Sequence, residues 1–259
     1  MKYFLSKESR PIINQLAVER TLCAFDFDGT LSPIADHPDQ AGMRNRTRDM
    51  LRRLAVLYPC IVVSGRGRGD VLEKLGGAKL ARVLGNHGAE SEASPVPRKR
   101  IDQWKAILKS ELRLLPGIWV EDKGFSLAVH FRQSIHKAES RRRILAATER
   151  LEHAKVFGGK QVVNLVPIGA PHKGDALAAE RDRLKCTSVL YLGDDENDED
   201  AFALDGNIVP VRIGRKKHSH ARFFLRTQME IDELLELLVR LREPIASVGL
   251  GLASLLSKG

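Results

Sequence analysis

Cysteine is scarce in this chain. Three occur among 259 residues, Cys23, Cys60 and Cys186, an odd number without tight spacing. That argues against a disulfide framework or a zinc site, points to a cytoplasmic setting, and leaves the thiols as small buried groups. Long apolar runs are also missing. The opening "MKYFLSKESRPII" meets charge and proline too early for a signal peptide. The tail "IASVGLGLASLLSKG" (245–259) is too short to span a bilayer, so no membrane is expected; it reads as a packing helix or a disordered end. Aromatic residues make up only 5% and form no RNP-type pattern, and neither zinc-finger spacing nor a basic zipper is present. Internal repeats and low-complexity segments are absent as well.

Charge of one sign is in excess, yet it is local. The net charge is +9, and between Pro95 and Pro167 stand 15 Lys/Arg against 7 Asp/Glu, so the rest is nearly neutral. Runs such as "RKR" (98–100) and "RRR" (141–143) read as solvated surface, able at most to steer a small anion. No nucleic-acid partner is expected. With 43% hydrophobic and 29% charged residues the chain can bury a sizeable core, as one large domain or two modest ones. The oligomeric state is open, with a monomer favoured.

What is present is an alternation. Short apolar runs stand at 21–27, 60–66, 81–88, 188–195 and 207–214, and such runs suit buried parallel strands. Helical spacing lies between them: Met50, Leu51, Leu54 and Leu57 share a face of 47–58, and 173–184 repeats the pattern. The expected architecture is therefore a doubly wound α/β domain, Rossmann-like, with ligands beyond the carboxyl ends of its strands. The middle breaks the rhythm. "PVPRKR" (95–100) reads as a linker, and Ile101, Trp104, Leu108, Leu112 and Leu115 mark an amphipathic helix. Residues 118–132 read as a hairpin, 136–154 as a basic helix, and 155–167 as a second hairpin around Gly158-Gly159. This predicts an α+β cap (95–167) inserted into a core made of 1–94 and 168–259.

The polar residues collect where the apolar runs stop. "CAFDFDGTLSPI" (23–34) ends a strand in Asp26 and Asp28, one residue apart, so both point roughly the same way. Adjacent carboxylates repel, and a hard cation such as Mg²⁺, which takes oxygen ligands and substrate phosphate, would offset that cost. "GDDENDED" (193–200) is a second acidic cluster after another strand. Neither is an EF-hand loop: counted from Asp26, position six is Leu31 and position twelve His37, and counted from Asp194, position six is Glu199. Ser64-Gly65 offers a hydroxyl and backbone N–H groups to a phosphate oxygen. Lys173 opens a helix, where a cation opposes the helix dipole unless an anion lies near. Singly these are an acidic surface loop, a turn and a surface lysine; as an ordered set they are specific.

That order, D-x-D-G-T, Ser, Lys, G-D-D-x-x-D, resembles the haloacid dehalogenase superfamily of phosphohydrolases. Within it, "FDFDGTLSPIADHPDQA", "VVSGR", "GNHGAE", "EDKGFSLAVHFR", "VPIGAPHKG" and "GDDENDEDAF" are similar to the trehalose-6-phosphate phosphatase family, from about Cys23 to about Ile213. The resemblance implies that Asp26 attacks phosphorus to form an aspartyl-phosphate, and that Asp28 protonates the leaving sugar and then activates water. Thr30 and the "VVSGR" residues Ser64, Gly65 and Arg66 would bind substrate, and Lys173 would offset charge. Mg²⁺ would bind Asp26, a main-chain oxygen of Asp28, and Asp194, with Asp198 or Asp195 completing or orienting the shell. Sugar recognition would come from the cap: Glu121 and Lys123 would hydrogen-bond sugar hydroxyls, His130 and Arg132 match the H-x-R motif on the next strand as further substrate-binding residues, and His87 and Glu90 match H-G-x-E as cap contact or structure. Three departures stand out: Asn164 where glutamate is common, Ile168 where arginine is common, and Asn197 for threonine. An amide still donates and accepts, so Asn164 leaves open a related glycoside, for instance a glucosylglycerol phosphate. A non-catalytic binding module is the rival from another class.

Overall fold

A computed structural model describes residues 1–35, 37–90, 98–159 and 161–256, with side chains up to Ile245 apart from Pro38. The first part of the chain forms β1 (Lys2–Tyr3), α1 (Arg10–Val18), β2 (Thr21–Phe25), α2 (Asn45–Leu57), β3 (Cys60–Val63), α3 (Arg68–Lys74) and β4 (Arg82–Leu84). The middle part forms α4 (Arg98–Leu112), β5 (Trp119–Asp122), β6 (Leu127–His130), α5 (Lys137–Thr148), β7 (Ala154–Gly159) and β8 (Val162–Pro167). The last part forms α6 (Lys173–Arg183), β9 (Ser188–Gly193), α7 (Glu199–Phe202), β10 (Ile208–Ile213), β11 (Phe223–Leu225) and α8 (Ile231–Leu256).

Seven strands make one parallel sheet in the order β1-β11-β10-β9-β2-β3-β4. Every residue of β2, β3 and β9 is buried, which explains their unbroken apolar character: helices cover both faces. Alternate residues of β2 enter opposite layers. Cys23 and Phe25 pack with Leu51 and Leu54 of α2 and Leu234 and Leu238 of α8, while Leu22 and Ala24 pack with Leu177 of α6. Parallel strands end on the same side. Asp26 therefore follows β2, Ser64 follows β3, and Asp194 follows β9 along one edge, with β2 lying between the other two strands.

The chain leaves this sheet after β4 and returns at β9. Between them lies the four-stranded antiparallel sheet β5-β6-β8-β7, backed by α4 and α5. Leu127, Val129, Val163 and Leu165 face Ile101, Trp104 and Leu108 of α4 and Ile144 of α5. By alternation, Trp119, Glu121, Ala128, His130, Asn164 and Phe157 lie on the other face.

Several boundaries differ from the sequence reading. Residues 98–100 of the expected linker are the first turn of α4, because Arg98 donates to both oxygens of Asp122 on β5 (3.1 and 2.7 Å); residues 95–97 lie outside the described residues. The basic helix stops at Thr148 rather than 154, since Leu151 turns into the cap core and His153 takes a left-handed φ of 56°. Gly158-Gly159 is strand, not turn. A Cβ on Gly159 would lie 2.7 Å from Cγ1 of Val162, its partner on β8, with Asp195 of the core (3.3 Å) and Asn164 (3.4 Å) next, so glycine serves close approach within the hairpin. Leu115 falls beyond α4, and the edge strand β1 and its neighbour β11, of two and three residues, carried no periodic signal.

Candidate active site

The turn after β2 is built around one glycine. Gly29 donates its N–H to Ser32 O (2.8 Å) and has φ +81°. A Cβ there would sit 2.3 Å from Oδ2 of Asp194, so only glycine lets the two acidic segments meet. Carboxylate oxygens of Asp26, Asp194 and Asp198, all buried, lie within 4.8 Å of one another. Hard oxygen donors gathered this closely, out of water, fit a divalent cation such as Mg²⁺.

Lys173 is set into this cluster as the first residue of α6, whose start is fixed by a capping box between His172 and Asp175. Its side chain is fully buried, and Nζ donates to Oδ1 of Asp26 (2.6 Å) and Oδ1 of Asp198 (2.7 Å). Burial works against the ammonium, but Asp198 and Asp26 outweigh it and hold its pKa above the ordinary lysine value. Asp198 is heavily committed. Oδ1 also accepts from the Tyr191 hydroxyl (2.7 Å), and Oδ2 accepts the N–H groups of Asp194 (2.8 Å) and Asp195 (2.9 Å). These bonds and Lys173 hold Asp198 below the usual carboxylate range although burial opposes this. Asp26 goes the other way: burial, with Asp198 and Asp194 beside it, pushes its pKa well up against the pull of Lys173. One ammonium among three carboxylates leaves an excess of negative charge that a cation relieves.

Above this floor lies a cavity of about 430 Å³. Asp26, Asp28, Gly65, Arg66, His87, Glu121, Lys123, His130, Arg132, Asn164 and Asp194 all line it. Lys173, Asp198, Thr30 and Ser64 lie beneath, buried, and Ile168 stands outside, 64% exposed. The expected residues thus converge, with two differences of detail. Arg66 spends its guanidinium on protein: Nε and Nη2 donate to Asp28 (2.6 and 2.8 Å) and Nη1 to Asp70 (2.6 Å). The Ser64 hydroxyl accepts the Arg66 N–H (3.2 Å). Thr30 Oγ1 and both ring nitrogens of His87 are buried without a partner among the described residues. Burial, then the charges of Lys173 and Lys123, keep the His87 imidazole neutral, well below its ordinary pKa. Its ring meets Phe157 of the cap edge-on at 4.8 Å.

The cap sheet supplies the roof. Nε2 of His130 pairs with Oε2 of Glu121 at 2.8 Å, and Lys123 Nζ donates to Gly65 O of the core (2.8 Å). Arg132 donates to Ala35 O (2.7 Å). Burial lowers the Lys123 pKa despite Glu121 and Asp28, whereas Glu121 is held down by its bond to His130 and by Lys123 against its own burial. The sequence reading missed Asn86, which docks the cap. Its Nδ2 donates to Lys123 O (3.2 Å) and Glu90 Oε2 (3.0 Å), and its Oδ1 accepts from Ser126 (2.7 Å). Asn86 and His87 both have left-handed φ, 51° and 60°, which local sequence does not announce. Trp119 also lines the cavity unanticipated, though its place two residues before Glu121 puts it on the same strand face.

A family model described as trehalose-phosphatase matches residues 24–228. The trehalose-phosphate phosphatase of Mycobacterium tuberculosis (strain ATCC 25618 / H37Rv) is 32% identical over 241 residues, 85% of this chain and 61% of that protein. The chain therefore spans 61% of the length of the curated relatives it matches first. Among solved structures, the C-terminal domain of the C. albicans trehalose-6-phosphate phosphatase aligns with TM-score 0.75 at 21% identity, covering 89% of this chain and 96% of that one. A sugar phosphatase of haloacid dehalogenase subclass IIB, BT4131, aligns with TM-score 0.59 at 13% identity, covering 83% and 98%. At these identities the structural matches speak for the fold, an α/β core with a cap. Motifs, fold and a family model that takes in both sheets agree: the chain belongs to the trehalose-phosphatase family.

Proposed function

We propose that the chain is a Mg²⁺-dependent phosphomonoesterase that hydrolyses trehalose-6-phosphate to trehalose and phosphate. The observation that carries this reading is Lys173, fully buried between Asp26 and Asp198 beneath a cavity roofed by Glu121 and His130. Residues 95–167 act as the cap and the remainder as the phosphatase core.

In the first step an oxygen of Asp26 forms a bond to phosphorus as the bond from phosphorus to the sugar oxygen breaks. Asp28 gives its proton to that leaving oxygen. Its double hydrogen bond to Arg66 must loosen for this, and Asp70 keeps Arg66 paired meanwhile. In the second step Asp28 takes a proton from water, which attacks the aspartyl-phosphate and frees Asp26. Thr30, with its buried unpartnered hydroxyl, and the Ser64-Gly65 turn receive phosphoryl oxygens. Lys173 holds the nucleophile in place and balances its charge. Asp26, Asp194 and a main-chain oxygen of Asp28 are the groups suited to hold Mg²⁺, which when bound would neutralise charge on the transferring phosphoryl group. Asp198, saturated by four donors, orients Lys173 and the Asp194-Asp195 backbone instead of adding a ligand.

Glu121, Lys123, His130 and Arg132 recognise the sugar. Asn164, buried on the cap face and lining the cavity, favours a second reading of the substrate, another glycosyl phosphate. Phosphate release from trehalose-6-phosphate, glucosylglycerol phosphate, glucose-6-phosphate and p-nitrophenyl phosphate, with and without EDTA, separates the readings. Preference for trehalose-6-phosphate that EDTA abolishes and Mg²⁺ restores is expected. Hydrolysis of no monoester would leave a non-catalytic module. Among the described residues no helix is long and apolar enough to cross a membrane.

A further inference from the structure

Resting on that phosphatase reading, we propose that Trp119 is the platform for the distal, unphosphorylated sugar ring, and so determines whether the site accepts a disaccharide phosphate. The strand β5 works as a ruler. Lys123, just past its end, touches the core at Gly65 O, Glu121 comes next on the same face, and Trp119 follows. Four residues of extended chain span about 13 Å, roughly the reach of two linked hexose rings. The phosphoryl end is pinned at Asp26 and Glu121 serves the first ring, so the second ring falls at the level of Trp119 and its cross-strand neighbour His130.

The chemistry there changes accordingly. The Trp119 ring lies parallel to His130, centroids 4.0 Å apart with 10° between planes, in register across β5 and β6. His130 is thus fixed from two sides, by the indole and by Glu121. Trp119 is nevertheless 42% exposed, and Ile34, 49% exposed, lines the same cavity with Val162 and the amides Gln133 and Gln161. An aromatic face, aliphatic groups and neutral amides suit a hexose, whose C–H face is apolar and whose hydroxyls ring its edge. The other tryptophan shows the contrast. Trp104 is 3% exposed inside the cap and donates Nε1–H to Glu152 O (3.1 Å), as a core residue does. Trp119 leaves a large apolar surface at the cavity, which a sugar ring would cover.

The test compares Trp119→Ala and Trp119→Phe with the unchanged chain on trehalose-6-phosphate and glucose-6-phosphate. The ratio of kcat/KM for the disaccharide over the monosaccharide should fall about 10- to 100-fold in Trp119→Ala, the range for losing apolar contact in a pocket. The loss should appear mainly in KM, and Trp119→Phe should recover most of it. Trehalose alone should also shift the emission of a Trp104→Phe variant, in which Trp119 is the remaining tryptophan. An equal loss on both substrates would mean Trp119 only props His130, and would overturn the proposal, as would an unchanged ratio or a silent emission. If the unchanged chain itself shows no preference for the disaccharide, the substrate reading falls and takes this proposal with it. A preference that survives Trp119→Ala overturns this proposal alone.

Discussion

Replacing Lys173 by methionine removes one ammonium and keeps most of the side chain's volume. Lys173 is fully buried, and its two bonds at 2.6 and 2.7 Å go to carboxylates that are themselves buried. Without it, Asp26, Asp194 and Asp198 face one another within 4.8 Å with no ammonium among them. Breaking a buried pair by deleting one partner costs about 3–5 kcal/mol, chiefly because the other charge is stranded. The expected destabilisation at pH 7 is of that order. Its pH dependence has a definite sign. The Asp26 pKa is already raised by burial, so the folded state binds the extra proton and stability falls as pH rises from the unfolded carboxylate value through the folded one. Lys173→Met should push Asp26 higher still and steepen that fall. Urea unfolding followed by circular dichroism from pH 5 to 8 measures both quantities. Adding Asp26→Asn to Lys173→Met should restore part of the lost stability by removing one stranded charge. A Lys173→Met protein as stable as the parent, with the same pH slope, would refute the account of the cluster; so would a double variant less stable than the single one.

Three further outcomes are expected. Asp26→Asn should abolish turnover by about 10³-fold or more, while thermal unfolding shows a fold retained at equal or higher stability because a buried carboxylate has gone. Gly29→Ala should cost at least about 1–2 kcal/mol for a left-handed residue with a Cβ, and should raise the Mg²⁺ concentration needed for half activity, because the Cβ displaces Asp194; an unchanged Mg²⁺ titration would argue against Asp194 as a ligand. Asn86→Ala leaves the Ser126 hydroxyl without its acceptor and Lys123 O without its donor, at about 1–3 kcal/mol, so KM for the sugar phosphate should rise more than for p-nitrophenyl phosphate.

Much of the fold was legible because parallel strands buried on both faces must be apolar throughout. β2, β3, β4, β9 and β10 announced themselves in this way, and helical spacing in α2 and α6 completed the alternation. The cap was harder to bound. Gly158-Gly159 looked like a turn, and only the close contact of Gly159 with Val162 across the hairpin shows why glycine is needed within a strand. In the candidate site, Asp26, Asp28 and Asp194 were legible because charge at the end of an apolar run is costly unless something answers it, and Lys173 because a cation at a helix start opposes the dipole unless an anion lies near. Asn86 was not, since its role is set by the cap residues Lys123 and Ser126, some forty positions away.

By itself the sequence determined which acidic residues stand at the ends of which apolar strands, since burial and periodicity are local properties that the order of residues encodes. Tertiary structure alone decided how they divide the work. Asp198 is filled by donors from β9, α6 and the backbone, Asp28 is held by Arg66, and Trp119 is left facing the cavity. Those assignments depend on distances between separate segments, which exist for Asp198 and Asp28 only once the parallel sheet has formed, and for Trp119 only once the cap sheet lies over it.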